Sequence, residues 1–267
     1  MRSFLLGAAL ALTMLDAAAV VGRWPAEEAT QGVAVDGTAF YAIDATAIGK
    51  YDKATGRKLA GWRAARGDAF LHLDSGVVVG SELLCAHSNY PATPMRSSIE
   101  VFDTATLRHL RTHDFGTGRG SATWVDFHDG AWWVAFAHYS ARGGEPGMGS
   151  ERTTLRRFDR EWREEASWSF PPELVAKWGG MSNSGGIWRG GRLYVTGHDA
   201  PELYVLDVPA GGGVLRLVAT IAVASAGQGI AFDPATGLLY SVQRATKEVL
   251  TSRLPPDPAS ATPAASR

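Results

Sequence analysis

The sequence holds a single cysteine, carries no excess of charge of either sign, and shows no apolar run of the roughly 20 residues that span a bilayer. Each shortage removes a class of answer. One cysteine, Cys85, forbids an internal disulfide, and its place in Leu83-Leu84-Cys85-Ala86 marks a buried strand residue rather than a nucleophile. A net charge of −1, from 26 Lys+Arg against 27 Asp+Glu, offers no field for nucleic acid or an anionic membrane surface. Arg156, Arg157, Arg160 and Arg163 alternate with Asp159, Glu161, Glu164 and Glu165, as on solvated strand faces; a binding stripe needs unbalanced charge. Motifs are scarce too: H-E-x-x-H, C-x-x-C and EF-hand spacings are missing. Ser182-Asn183-Ser184-Gly185-Gly186 is not G-x-S-x-G, and Gly116-Thr117-Gly118-Arg119-Gly120 lacks the strand and helix that a phosphate loop joins.

What is present begins with the two ends. Residues 1–19 have Arg2, a Leu/Ala-rich stretch and Ala17-Ala18-Ala19, the outline of a secretory signal cleaved near Ala19. The mature protein is therefore expected to be exported, periplasmic or secreted, and not inserted in a membrane. Residues 255–267 are Pro/Ala/Ser-rich and read as a disordered tail. Residues 20–254 between them form one domain.

That domain is a repeat. Aligning Gln31-Gly32-Val33, Ser75-Gly76-Val77, Thr123-Trp124-Val125, Gly185-Gly186-Ile187 and Gln228-Gly229-Ile230 places five copies 44, 48, 62 and 43 residues apart. The period suits four-stranded propeller blades, and alternating apolar residues broken by D-G, G-G and T-G turns favour strands throughout. The fifth copy ends one strand short, and Val20–Trp24 stands ahead of the first with no other partner. The expected fold is all-β: a five-bladed β-propeller whose last blade is closed by the N-terminal strand. The alternatives are a sixth, degenerate blade inside the 62-residue interval, or a β-sandwich.

In a propeller the loops leading into the inner strands and the turns between second and third strands open on one face. The insertions Asn89–Arg96, Tyr139–Thr153 and Pro171–Asn183 all fall there, where binding loops belong. The same face gathers Gln31, His72, Thr123, Ser184 and Gln228 at or before inner strands. It gathers Asp44, His87 with Ser88, Asn89 and Tyr90, His138, His198 with Asp199, and Arg244 after second strands. Turn chemistry and backbone satisfaction account equally well for Gln31, Ser75, Thr123 and Gln228. Histidine is not a usual turn former, so His87 and His198 point to function, with His198 as an acid/base oriented by Asp199. Trp124 and Trp188 read as blade packing. His72, His87, His138 and His198 come from several blades, so a metal among them is geometrically open, but no ligand spacing supports one and no cofactor is expected.

Two resemblances add to this reading. Thr30-Gln31-Gly32-Val33, Phe40-Tyr41 and the turn Ala54-Thr55-Gly56-Arg57-Lys58 resemble the first blade of five-bladed glutaminyl cyclotransferases. That family places a catalytic Glu directly after the Tyr of the second strand; Ala42 stands there in this chain. His87-Ser88-Asn89-Tyr90-Pro91, Ser97-Ser98-Ile99-Glu100-Val101 and Thr196-Gly197-His198-Asp199-Ala200-Pro201-Glu202 resemble exported bacterial propellers loosely labelled cycloisomerases. The second resemblance implies the fold, export and, from the label, lactone or cyclisation chemistry.

Together these expectations describe an exported, monomeric propeller binding a small polar molecule at its central rim. His198, Asp199 and His87 are the candidate catalytic groups. Gln31, Asp44, His72, Ser88, Asn89, Tyr90, Thr123, His138, Ser184, Gln228 and Arg244 are the candidate ligand contacts. The competing class is a non-catalytic platform on which the rim loops grip a protein partner, which calls for an exposed apolar rim.

Overall fold

Each of the five copies folds into one antiparallel sheet, and the computed structural model, which describes residues 13–256, sets the sheets in a ring as a five-bladed β-propeller. Blade 1 runs from the axis outward through Gly32–Val35, Ala39–Asp44, Ala47–Asp52 and Lys58–Arg63. Blade 2 is His72–Val79, Glu82–Ser88, Arg96–Asp103 and His109–Thr117. Blade 3 is Ser121–His128, Ala131–Ala137, Thr154–Phe158 and Glu164–Ser169, and blade 4 is Gly185–Arg189, Arg192–Thr196, Glu202–Asp207 and Arg216–Ala222. Blade 5 has Ile230–Phe232, Leu239–Gln243 and Glu248–Arg253, completed by the N-terminal Ala19–Pro25, which pairs antiparallel with Glu248–Arg253. The closure expected from Val20–Trp24 is the one observed.

The 62-residue interval holds no sixth blade. It is filled by the Tyr139–Thr153 loop, a 3-10 turn at Ser150–Arg152 and one short helix, Pro172–Lys177. One strand departs from the repeat. Gly213–Val214, just ahead of the outer strand of blade 4, pairs in parallel with Trp168 and Ser169 on blade 3. Thr13–Leu15, inside the expected signal segment, pairs in parallel with Ala219–Ile221 on the outer edge of blade 4. The rest of that segment, residues 1–12, and residues 257–267 of the expected tail lie outside the described residues.

The local chemistry that shapes the blades is legible in one recurring turn. In Asp52-Lys53-Ala54-Thr55-Gly56 the Asp52 carboxylate accepts from the Thr55 amide at 2.8 Å and hydroxyl at 2.7 Å, and Gly56 takes φ +69°. Asp103 and Thr106 repeat the device, with Leu107 in the left-handed position at φ 57°. Asp233, Thr236 and Gly237 use it again in blade 5. The core lies between blades: Val33, Phe40, Ala42 and Tyr240 bury themselves between blades 1 and 5, and Trp124, Trp168, Leu193 and Tyr204 between blades 3 and 4. Trp124 is fully buried there and donates to Asn183 Oδ1, which locks blade 3 to the strand leading into blade 4.

On the axis the inner strands meet backbone to backbone. A Cβ on Gly229 would lie 2.8 Å from the Cα of Gly32, one on Gly32 would lie 2.8 Å from the Cα of Ser75, and one on Gly185 would lie 2.9 Å from the Cα of Gly229. Blades 4, 5, 1 and 2 can approach this closely only because Gly185, Gly229 and Gly32 bring no side chain to the contact, which leaves room for that of Ser75. The glycines of the repeat signature thus close the axis and leave the residues just before them to face the space above.

Candidate functional site

That space is a cavity of about 310 Å³ on the face carrying the long loops. Gln31 enters it from blade 1, Tyr90 from the second-to-third-strand loop of blade 2, and Ser184, His198, Gln228 and Arg244 from blades 4 and 5. His72 completes the set from the start of the blade 2 inner strand, so seven of the residues expected from the sequence converge. Four more line the cavity that the sequence reading did not select as ligand contacts: Asp74, Tyr139, Arg142 and Met181.

Asp74 is the most unusual of these. Its side chain is 6% exposed, and its Oδ1 has no hydrogen-bond partner among the described residues. Burial pushes its carboxyl well above the ordinary range, against the Ser75 backbone amide and the Arg244 charge, so the protonated acid is favoured. His72 sits beside it, Nε2 to Oδ2 3.9 Å. Burial first, then the neighbouring His87 and Arg244, bring the His72 pKa down to about 4, against an opposing pull from Asp44. The pair thus presents a neutral imidazole next to a buried acid. Tyr90 packs on the His72 ring with centroids 5.1 Å apart and on Tyr139 at 5.0 Å, which fixes the orientation of the imidazole.

Across the cavity His198 Nε2 faces Arg244 Nη1 at 3.4 Å, so the imidazole is the acceptor there. Its Nδ1 lies 2.7 Å from Asp199 Oδ1, an ion-pair approach whose angle falls outside hydrogen-bonding alignment. Asp199 itself is 74% exposed, so it is a loose orienter. Gln228 is held more firmly. Its backbone sits in the left-handed region at φ 70°, its amide donates to His198 O at 2.9 Å, and its carbonyl accepts from Thr196 Oγ1 at 2.6 Å. A non-glycine residue kept in that conformation by two blades is the kind of strain that collects at binding sites.

The other expected residues lie elsewhere. His87, a candidate catalytic partner of His198, lines a separate cavity of about 410 Å³ on the flank of blade 2. There its Nε2 accepts from the Leu71 amide at 3.1 Å and its Nδ1 meets Ser98 Oγ at 2.9 Å; Ser98 donates on to Glu100 at 2.6 Å. Thr112 and His109 fill the remaining Glu100 oxygen at 2.6 and 2.9 Å. The Leu71 bond fixes His87 with its proton on Nδ1, so it donates to Ser98 and is no base for it. Asn89 edges the same flank, bonded to Pro94 and Arg96 across its own loop. Ser88 is buried against Ser121 Oγ at 2.7 Å, and Thr123 is buried with its hydroxyl unpartnered. His138 is buried with Nδ1 4.0 Å from Glu145. Asp44 accepts from Thr30 at 2.7 Å and reaches the site only through its charge on His72. Ala42 belongs to the apolar packing between blades 1 and 5 and does not line the cavity.

Among the described residues no group of three or more His, Cys, Asp or Glu side chains is placed to hold a metal ion, and no helix is long and apolar enough to cross a membrane. Neither a protein-family model nor a curated protein matches the sequence. Solved structures do match. The glutaminyl cyclase of Myxococcus xanthus superposes with a TM-score of 0.62 over 90% of this chain and 98% of its own, at 11% identity. The Kuenenia stuttgartiensis hydrazine synthase aligns with a TM-score of 0.46 and 14% identity over 84% of this chain and 71% of its own. A mitotic checkpoint complex chain reaches 0.45 at 9% identity over 95% and 98%. At these identities the likeness to the cyclase shows a shared fold, and the two lower scores carry no argument.

Proposed function

We propose that this chain is an exported propeller that binds a small polar molecule in its axial cavity and transfers protons to and from it, in ring closure or opening of an acyl compound. The observation that carries this reading is Asp74, a buried acid that lines the cavity with one oxygen lacking a hydrogen-bond partner, beside a neutral His72. When an internal hydroxyl or amine attacks a carbonyl, the nucleophile loses a proton and the leaving group gains one. His72 takes the first proton and Asp74 gives the second, and solvent restores both. His198, accepting from Arg244, and the strained Gln228 orient the ligand on the opposite wall.

Cyclisation is favoured among proton-transfer reactions by analogy with the Myxococcus cyclase fold alone. The acid sits elsewhere in the sequence from the position that the first-blade resemblance indicates, since Ala42 is core and Asp74 lines the cavity. A polar rim also counts against a protein-gripping platform. Of the exposed large apolar side chains among the described residues, Val21, Leu59, Leu110 and Val214 stand on outer strands or edges, and Leu71 lines the flank cavity of blade 2.

The test is thermal unfolding and turnover of the chain against lactones, sugar acids, amides and N-terminal glutaminyl peptides, with Asp74→Asn alongside. A ligand at 100 times its Kd stabilises the fold by about 2.7 kcal/mol. Binding and turnover that vanish in Asp74→Asn support the reading; a turnover rate unchanged in Asp74→Asn refutes the assigned chemistry.

A further inference from the structure

The cavity has a charge pattern that narrows its ligand, given the small-molecule reading above. Two guanidinium groups line it, Arg142 and Arg244, and both side chains stand at the exposed mouth. Neither has a carboxylate partner within salt-bridge distance: Arg244 meets only the imidazole of His198, and Arg142 contributes a backbone carbonyl to Tyr90 Oη at 3.2 Å. Other arginines of the described surface are held by acids, as are Arg111 by Glu82, Arg157 by Glu165 and Arg163 by Asp159, and some, such as Arg57 and Arg108, have none at salt-bridge distance; what sets Arg142 and Arg244 apart is that both line one cavity. The acid that does line the cavity, Asp74, lies deeper, with no partner on Oδ1.

The geometry points to a small carboxylate anion as the ligand of the axial cavity, held at the mouth by Arg244 and Arg142, with Asp74 donating a hydrogen bond to an oxygen deeper in the same molecule. A guanidinium fork matches the two oxygens of a carboxylate, and charge-assisted bonds of this kind are about twice as strong as neutral ones. The deep acid fits the same ligand. An ionised Asp74 would repel an anion, whereas a protonated one supplies a donor where the cavity otherwise offers amides and hydroxyls. Size sets the remaining limit: 310 Å³ accommodates about ten water-sized groups, the bulk of a dicarboxylic or aldonic acid of four to eight carbons at most.

The experiment uses matched pairs that differ only in the acid group: glutarate against glutaramide, and gluconate against gluconamide. Each is titrated into the full chain by calorimetry and thermal unfolding at two salt concentrations. The expected result is that the acids bind, that salt weakens them, and that Arg244→Gln and Arg142→Gln each lower their affinity about 10-fold. Arg244→Lys should recover part of that loss, since charge remains while the fork does not. The outcomes separate cleanly. Neutral members that bind as well as the acids, survive Arg244→Gln and are lost in Asp74→Asn would overturn the carboxylate while leaving the axial site standing. Binding by neither member of any pair overturns both.

Discussion

Two cavities of similar size lie a strand apart on blade 2, and they contain the same kinds of side chain in opposite states. On the flank, His87, Ser98, Glu100, Thr112 and His109 form a chain in which every donor has an acceptor. On the axis, Asp74 Oδ1 and His198 Nδ1 have none that is aligned. A satisfied buried network rigidifies the fold around it, while an orphaned buried polar atom calls for a partner, an ordered water or a bound molecule. Residue type alone would rank the flank, with its Ser, His and Glu, as the reaction centre. The hydrogen-bond accounting reverses that ranking.

The contrast is open to direct attack. The largest effect expected is on turnover in Asp74→Asn, a loss of about 100- to 10,000-fold with little change in unfolding free energy, measured by steady-state kinetics beside denaturant melts. Glu100→Ala should do the reverse. It strands Ser98, Thr112 and His109 and is expected to cost about 3 kcal/mol of stability in urea melts, with ligand affinity per folded molecule unchanged. A turnover loss in Glu100→Ala that exceeds its unfolded fraction would erase the distinction between the cavities.

The pH dependence comes next. His72 is neutral in the fold with its pKa near 4 against an ordinary 6.5, so the unfolded chain binds more protons between those values. Its contribution is intact above pH 6.5 and is lost as pH falls toward 4, by up to about 3 kcal/mol. Asp74 has the opposite sign: its raised pKa favours the fold less as pH climbs above the ordinary carboxylate range. From pH 4 to 7 the stability of His72→Gln relative to the parent should therefore fall as pH rises, because the His72 gain is gone and the Asp74 loss remains, and a parallel pair of curves would count against the buried neutral imidazole. The smallest effect is at the mouth. Asp199→Asn, removing an exposed and misaligned partner of His198, should change stability by less than about 0.5 kcal/mol.

The fold was legible because its signals are local and repeated. Apolar alternation, the D-x-x-T-G turns and the glycines before the inner strands each recur at blade spacing, and the unpaired Val20–Trp24 had only one edge left to close. The same repeat puts Gln31, His72, Ser184, His198, Gln228 and Arg244 on one face, and the structure brings them around one cavity. What failed was depth. His87 and His72 look alike in sequence, but His72 pairs with Ser88 and His87 with Leu73, so they stand one register step apart on opposite faces of the sheet and only His72 lines the axial cavity. Asp74 carries a usable signal in the sequence: an acid between Leu73 and Ser75, near the head of a strand that runs on through Gly76-Val77-Val78-Val79. Aspartate is almost never fully buried without a partner, so its position there was the anomaly to follow.

The contacts among Gly32, Ser75, Gly185 and Gly229 also decide what shape of molecule this protein can handle. With the inner strands of four blades this close at the axis, the cavity is expected to open on one side only, so that whatever enters backs out through the same opening. A polymer cannot be threaded through it and cut or modified midway along. If the guest is part of a longer chain, only its terminus can be presented, and a spent molecule still in place bars the next from entering, so product should compete directly with substrate.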